Sequence, residues 1–293
     1  MARRTRRSVL AALGSGIAAT AGCGAFGQER VDVLVAGSLQ KAASETLQAR
    51  TDVPLAVEAR GSVQAARLVA DGKRDPAIVA LADPALFDRL MDTAWYAVVA
   101  SNELVLAYNP QTDGGGRVAD AATWYDPLRG DGVSLGRTDP ALDPLGYRTL
   151  FVLALAADYY GEPGLADAVL SPDQTYPETQ LLAQFETGGV DAAFVYRSMA
   201  IERDYPFREF PPEIHLGDPA HAERYRATSY ELSGDTAVTG SPIEYGALRR
   251  DEQDATRTAF EAVLAGDWLA PHGFTVRQAY PRLVGDVPDT VTR

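Results

Sequence analysis

Short apolar runs alternate with amphipathic stretches along most of the chain. Val31-Asp-Val-Leu-Val35 is a β-rich run that ends in Ala-Gly-Ser-Leu-Gln-Lys-Ala-Ala, a turn leading into a helix. Leu55-Ala-Val-Glu58 repeats the pattern, ending in Ala-Arg-Gly-Ser62 with helical spacing through Val69. Ala77-Ile-Val-Ala-Leu81 is a third strand, after which Asp83-Pro84 opens a helix running to about Leu90. Alternation of strand and helix argues for a mostly parallel sheet covered by helices.

A second unit of the same kind follows. Val133-Ser-Leu starts a strand, Gly136 to Pro144 form a turn, and Leu145 to Tyr160 read as a helix. Thr175-Tyr-Pro-Glu178 matches a capping box with proline near the helix start, and Gly188-Gly189 stops that helix. Ala192-Ala-Phe-Val-Tyr196 is a strand, and Asp254 to Ala265 a helix. Gly114 to Gly116 read as an exposed loop. Two further strands, Glu103–Tyr108 and Ser241–Gly246, are expected to cross between the units. The expected first lobe is then discontinuous, residues 30–107 with 241–293, and the second lobe occupies 108–240. Ligands of such sheets bind beyond the carboxyl ends of strands, at a switch point or between domains.

Composition narrows the class. The 293 residues are 46% apolar and 23% charged, which excludes a disordered chain and a polytopic membrane protein. The net charge is −13, so a basic face for nucleic acid is not expected. Only Lys41 and Lys73 are lysines among 27 basic residues, a composition typical of a high-salt organism. Residues 1–23 have a basic start, a short apolar run and a small-residue site, the order of an export signal. Arg6-Arg7 within Thr-Arg-Arg-Ser-Val-Leu is similar to a twin-arginine motif. Cys23, the single cysteine, follows Thr-Ala-Gly, and this resembles the lipobox of prokaryotic lipoproteins. Lipidation there would hold the domain on the outer face of the cell membrane. A free thiol at a nonlipid cleavage site is the alternative. Loss of the signal removes four arginines and no acids, so the exported part carries −17.

Several segments, in order, resemble the archaeal molybdate/tungstate-binding protein family of ABC importers. They include Ala36-Gly-Ser-Leu, Ala59-Arg-Gly-Ser, Asp139-Pro-Ala-Leu-Asp-Pro-Leu-Gly-Tyr-Arg148, Phe194-Val-Tyr-Arg-Ser-Met-Ala200 and Gly240-Ser-Pro-Ile-Glu-Tyr-Gly246. The resemblance implies an α/β, type II periplasmic-binding-protein fold. Two α/β lobes joined by two crossing strands close over an oxyanion. It also implies an ABC permease with a cytoplasmic ATPase as partner, a monomer, no cofactor, and molybdate or tungstate as ligand.

Such a dianion offers only acceptors, so its site needs converging hydroxyls and backbone N–H groups at helix starts. Ser38 and Ser62 stand at two strand-to-helix turns. By resemblance each presents a hydroxyl and an N–H, although either also works as a plain N-cap, worth about 1 kcal/mol. Asp143 precedes Pro144 at a helix start; by resemblance its carboxylate contacts the Mo or W atom itself. Coulomb repulsion makes a carboxylate against a dianion tolerable only through such a bond. The resemblance pairs this aspartate with a strand glutamate, matched here by Val195, which puts six-coordination in doubt. Tyr196 matches a hydroxyl donor to the oxyanion, or else is a core aromatic. Glu178 is expected to offer its backbone N–H, its carboxylate completing the capping box with Thr175. Arg148 and Arg197 are read as steering groups or partners of surface acids, and no functional role is assigned to them.

Catalytic signals are weak. His215, His221 and His272 lack metal-binding spacing, and neither a Gly-x-Ser-x-Gly elbow nor a P-loop occurs. The expected function is extracytoplasmic capture of molybdate or tungstate for import. A sulfate or phosphate binder is the nearer rival. An exported enzyme on the same two-lobed architecture is a more distant one, and a surface or adhesion module is a third.

Overall fold

The computed structural model describes residues 30–232 and 236–291. The export signal and Cys23 lie outside the described residues. Four strands open the described chain: β1 (Val31–Ala36), β2 (Leu55–Arg60), β3 (Ile78–Leu81) and β4 (Trp95–Ser101). The next five are β5 (Leu104–Tyr108), β6 (Leu135–Thr138), β7 (Thr175–Tyr176), β8 (Ala192–Tyr196) and β9 (Phe207–Glu209). A hairpin follows, β10 (Ser229–Leu232) with β11 (Thr236–Thr239), and then β12 (Glu244–Arg249) and β13 (Arg282–Gly285).

These strands build two main sheets. The first has the order β13-β4-β12-β3-β1-β2 and the second β7-β6-β8-β5-β9. β1 pairs in parallel with β2 and β3, and β6 in parallel with β7 and β8. The remaining pairs are antiparallel, including β12 between β3 and β4. Each sheet therefore mixes βα units with returning strands, and its core is the layer of Val, Leu, Ile and Ala between strands and helices.

The chain passes from the first sheet to the second at Asn102 and Glu103, between β4 and β5. It returns through residues 240–243, before β12. The two passages lie side by side: the Asn102 N–H donates to the Ile243 carbonyl at 3.2 Å. β5 pairs throughout its length with β8. The passage thus comes ahead of the expected boundary at 107/108, because Leu104 to Ala107 are buried against the second sheet.

Several local expectations change. The returning strand starts at Glu244 rather than Ser241, since Pro242 has no N–H for a ladder. β4 was not visible in the pattern. All seven of its residues are buried, so no alternation marks it. The three glycines expected in an exposed loop lie in a helix, Asp113–Asp120, with Thr112 accepting the Gly115 N–H at 3.1 Å as N-cap. Close packing explains the glycines. A Cβ at Gly115 would stand 1.8 Å from the Asn109 carbonyl oxygen, and one at Gly114 2.1 Å from the Asp191 carboxylate. At Gly116 a Cβ would meet nothing within 4 Å.

Neighbouring substitutions should therefore diverge in urea denaturation. Gly115→Ala should lose about 1–3 kcal/mol through overpacking. Gly116→Ala should gain about 0.5–1 kcal/mol through helix propensity. Equal effects at both positions would refute this account of the turn.

Candidate functional site

The two lobes meet over the carboxyl ends of β1, β2 and β3 and of β6 and β8. Short turns there place small polar residues at helix starts. Ser38 follows β1, and Ser62 follows β2 as the first residue of the helix Ser62–Ala70. Asp143 caps the helix Pro144–Tyr160, Glu178 opens the helix Glu178–Glu186, and Tyr196 ends β8. All five of the residues expected from sequence are buried, with exposures from 0 to 7%.

Three of them are hydroxyls whose acceptor side is already engaged. Ser62 Oγ accepts the Ala82 N–H at 3.0 Å, and Tyr196 Oη accepts from Arg148 Nη1 at 2.8 Å. Ser38 Oγ accepts from the Tyr245 hydroxyl at 3.1 Å. The direction of that last bond follows from Asn102, at the passage between the lobes. Its Oδ1 accepts the N–H groups of Glu103 and Ser198, which leaves Nδ2 as donor to Ser198 Oγ and the Tyr245 hydroxyl. The Tyr245 hydroxyl is then the donor to Ser38 Oγ. Each of the three hydroxyls keeps one proton to give elsewhere. Burial pushes the Tyr196 phenol well above its ordinary range and Tyr245 upward too, so both stay protonated donors.

Against these donors stand two carboxylates. Asp143 Oδ1 accepts the Leu145 N–H at 3.1 Å, whereas Asp143 Oδ2 has no hydrogen-bond partner among the described residues. The Glu178 carboxylate lies against the backbone N–H groups of Gly37 and Ser38, which favour its charged form, but it has no side-chain partner among the described residues. Burial raises Asp143 to about 6, with the Leu145 N–H, Thr138 and Arg148 pulling the other way. Burial, and then the nearby Asp143 charge, hold Glu178 well above the carboxylate range. A cavity of about 370 Å³ leads to the two acids, lined by Gly61, Gln64 and Leu142 among others.

Glu178 departs from expectation. Its carboxylate completes no capping box with Thr175. The box forms one turn earlier, between Ser171 and Gln174, and Pro177 caps the helix of Glu178. The freed side chain crosses to the first lobe, where a Cβ on Gly37 would stand 2.0 Å from Glu178 Oε2. Only glycine permits that approach. Val195 is 1% exposed in β8, paired with Val105, and supplies core. A second acid does reach the cleft, but from position 178.

Arg148 also departs. It is 3% exposed rather than a surface cation, and it donates to the Ala82 carbonyl at 2.6 Å and to Tyr196, 3.6 Å from Asp83. No pattern of spacing announced this. Arg197 pairs with Glu103 at 3.3 Å near the surface.

The family described as bacterial extracellular solute-binding protein matches residues 31–267. This chain belongs to that family. A Haloferax volcanii relative, described as an ABC transporter molybdenum-binding protein, is 56% identical over 98% of this chain and 97% of its own. The molybdate/tungstate-binding protein WtpA of Pyrococcus abyssi is 33% identical over 64% of this chain and 63% of its own. The periplasmic molybdate-binding protein of Azotobacter vinelandii has the same fold. It matches with a TM-score of 0.58 at 15% identity, over 85% of this chain and 100% of that one. The fold of the solute-binding protein is thus the two-lobed periplasmic-binding type expected from its sequence. Among the described residues no helix is long and apolar enough to cross a membrane.

The two acids are buried between the lobes, so the balance between this arrangement and an open cleft should depend on pH. A raised carboxylate pKa means that the closed form binds protons which an open, hydrated cleft releases. Closure is then favoured at low pH and opposed as pH rises through the window from 3.8 to about 6 set by Asp143. Without added oxyanion, small-angle scattering should show a more compact protein at pH 5 than at pH 7.5. Asp143→Asn combined with Glu178→Gln should flatten that difference, because burial raises both acids. A more compact protein at pH 7.5 would reverse the sign and refute the account.

Proposed function

We propose that this protein captures molybdate or tungstate outside the cytoplasm and delivers it to an ABC permease driven by a cytoplasmic ATPase. The observation that carries the reading is the pairing of three hydroxyl donors, Ser38, Ser62 and Tyr196, with two buried carboxylates, Asp143 and Glu178, that have no ion-pair partner at hydrogen-bond distance among the described residues. Neutral donors at helix starts suit the oxygens of a dianion and leave no fixed charge stranded in an empty cleft. The carboxylates would repel the same dianion unless their oxygens bind its central atom. Molybdenum and tungsten in their oxyanions can accept further oxygen ligands, whereas sulfur in sulfate and phosphorus in phosphate stay tetrahedral. Asp143 and Glu178 together would raise the coordination of the metal from four to six. In this reading Glu178 takes the part that the resemblance assigned to the position of Val195.

Lobe closure about the two passages completes the donor shell, and the permease engages the closed form. The family and the relatives in Haloferax and Pyrococcus support this reading. Residues 1–23 act as a twin-arginine-type export signal, and Cys23 carries the lipid that holds a monomeric domain at the outer membrane face. High external salt screens the negative surface that an incoming anion meets.

Isothermal titration of the domain from Gly24 onward, in high salt, tests the assignment. Tungstate or molybdate should bind one to one, with sulfate and phosphate at least a thousandfold weaker, about 4 kcal/mol. Asp143→Asn and Glu178→Gln should each narrow that gap by weakening the metal oxyanions far more than sulfate. Folded protein that binds neither metal oxyanion would refute the reading. Variants that tighten all four anions alike would refute metal contact by the carboxylates.

A further inference from the structure

We infer that Arg148 is a positioning residue, which ties the donor role of Tyr196 to closure of the two lobes; this rests on the oxyanion reading above. Tyr147 and Arg148 are neighbours on the helix Pro144–Tyr160 of the second lobe, and both reach the turn after β3 in the first. The Tyr147 hydroxyl donates to Asp83 Oδ2 at 2.5 Å. Arg148 Nη1 donates to the Ala82 carbonyl at 2.6 Å and to Tyr196 Oη at 2.8 Å, and Nη2 lies 3.6 Å from Asp83 Oδ2. Nη1 carries two protons, and both are spent on protein acceptors. This nitrogen therefore braces the site rather than gripping the anion.

The brace joins donors from both lobes at a single residue. The Ala82 N–H is bonded to Ser62 Oγ, while its carbonyl holds Arg148. Bonding from Arg148 fills the acceptor side of Tyr196 and turns the phenol proton toward the cleft. When the lobes part, Arg148 loses the Ala82 carbonyl and its ion-pair partner Asp83 together. The constraint on Tyr196 then weakens as the cleft opens. A lysine keeps the charge but presents its protons from one point, so it lacks the planar fork that spans Ala82 and Tyr196.

The test measures tungstate association and its release into excess molybdate, by rapid filtration and elemental analysis. It compares the wild type with Arg148→Lys, Tyr196→Phe, their double variant and Asp83→Asn. Arg148→Lys should release tungstate about tenfold faster or more, with association changed by less than about threefold. Because the two residues act along one path, the double variant should fall short of the product of the single effects by at least about threefold. Asp83→Asn removes the first-lobe ion-pair partner of Arg148 with an isosteric side chain and leaves the Ala82 carbonyl bond in place. It should also speed release, and it keeps the test open if Arg148→Lys does not fold. Effects that multiply fully, or slower association with unchanged release, would overturn the role of Arg148. Wild-type protein that binds neither tungstate nor molybdate would overturn the oxyanion reading and this inference together.

Discussion

Two acidic side chains buried side by side set the terms for everything around them. Asp143 and Glu178 are buried, and neither has an ion-pair partner at hydrogen-bond distance among the described residues. Burial of that kind is unfavourable unless the charge is removed or bonded. Their raised pKa values express the cost directly. A closed cleft with this lining is poised for something that can bind carboxylate oxygens while its own oxygens accept hydrogen bonds. Metal oxyanions meet both conditions, and a simple tetrahedral anion meets only the second.

The donors are arranged by the architecture as much as by their own chemistry. Asn102 sits where the chain passes between the sheets, and its amide orientation follows from two backbone N–H groups. That orientation propagates through Tyr245 to the proton of Ser38. Arg148 does the same for Tyr196 within the second lobe. Hydroxyls are ambivalent in isolation, and here each is made a donor by a neighbour that occupies its lone pair. The passage between lobes reaches the binding shell through Tyr245 and Ser38, so movement at the first alters that donor.

The pattern of short strands and helix-opening turns was legible along the chain because side-chain periodicity and turn chemistry are local properties. β8 and the helix Asp254–Ala265 match their expected spans residue for residue. β4 was hidden, since burial on both faces erases alternation. The glycines at 114 and 115 misled in the same way. Their composition signals a loop, but contacts with Asn109 and Asp191 make them packing residues in a helix.

By itself the sequence determined the two-lobed α/β class and the turns at Ser38, Ser62 and Asp143, because each rests on neighbours within a few residues. It also carried enough family likeness to point at an oxyanion. Only the tertiary structure decided the fate of Glu178 and Arg148. Whether the Glu178 carboxylate folds back on its own helix or crosses to Gly37 depends on a residue 141 positions away. Whether Arg148 faces water or Ala82 depends on how the lobes close. Long, flexible charged side chains take their direction from whatever packs opposite them, and no local pattern encodes that partner.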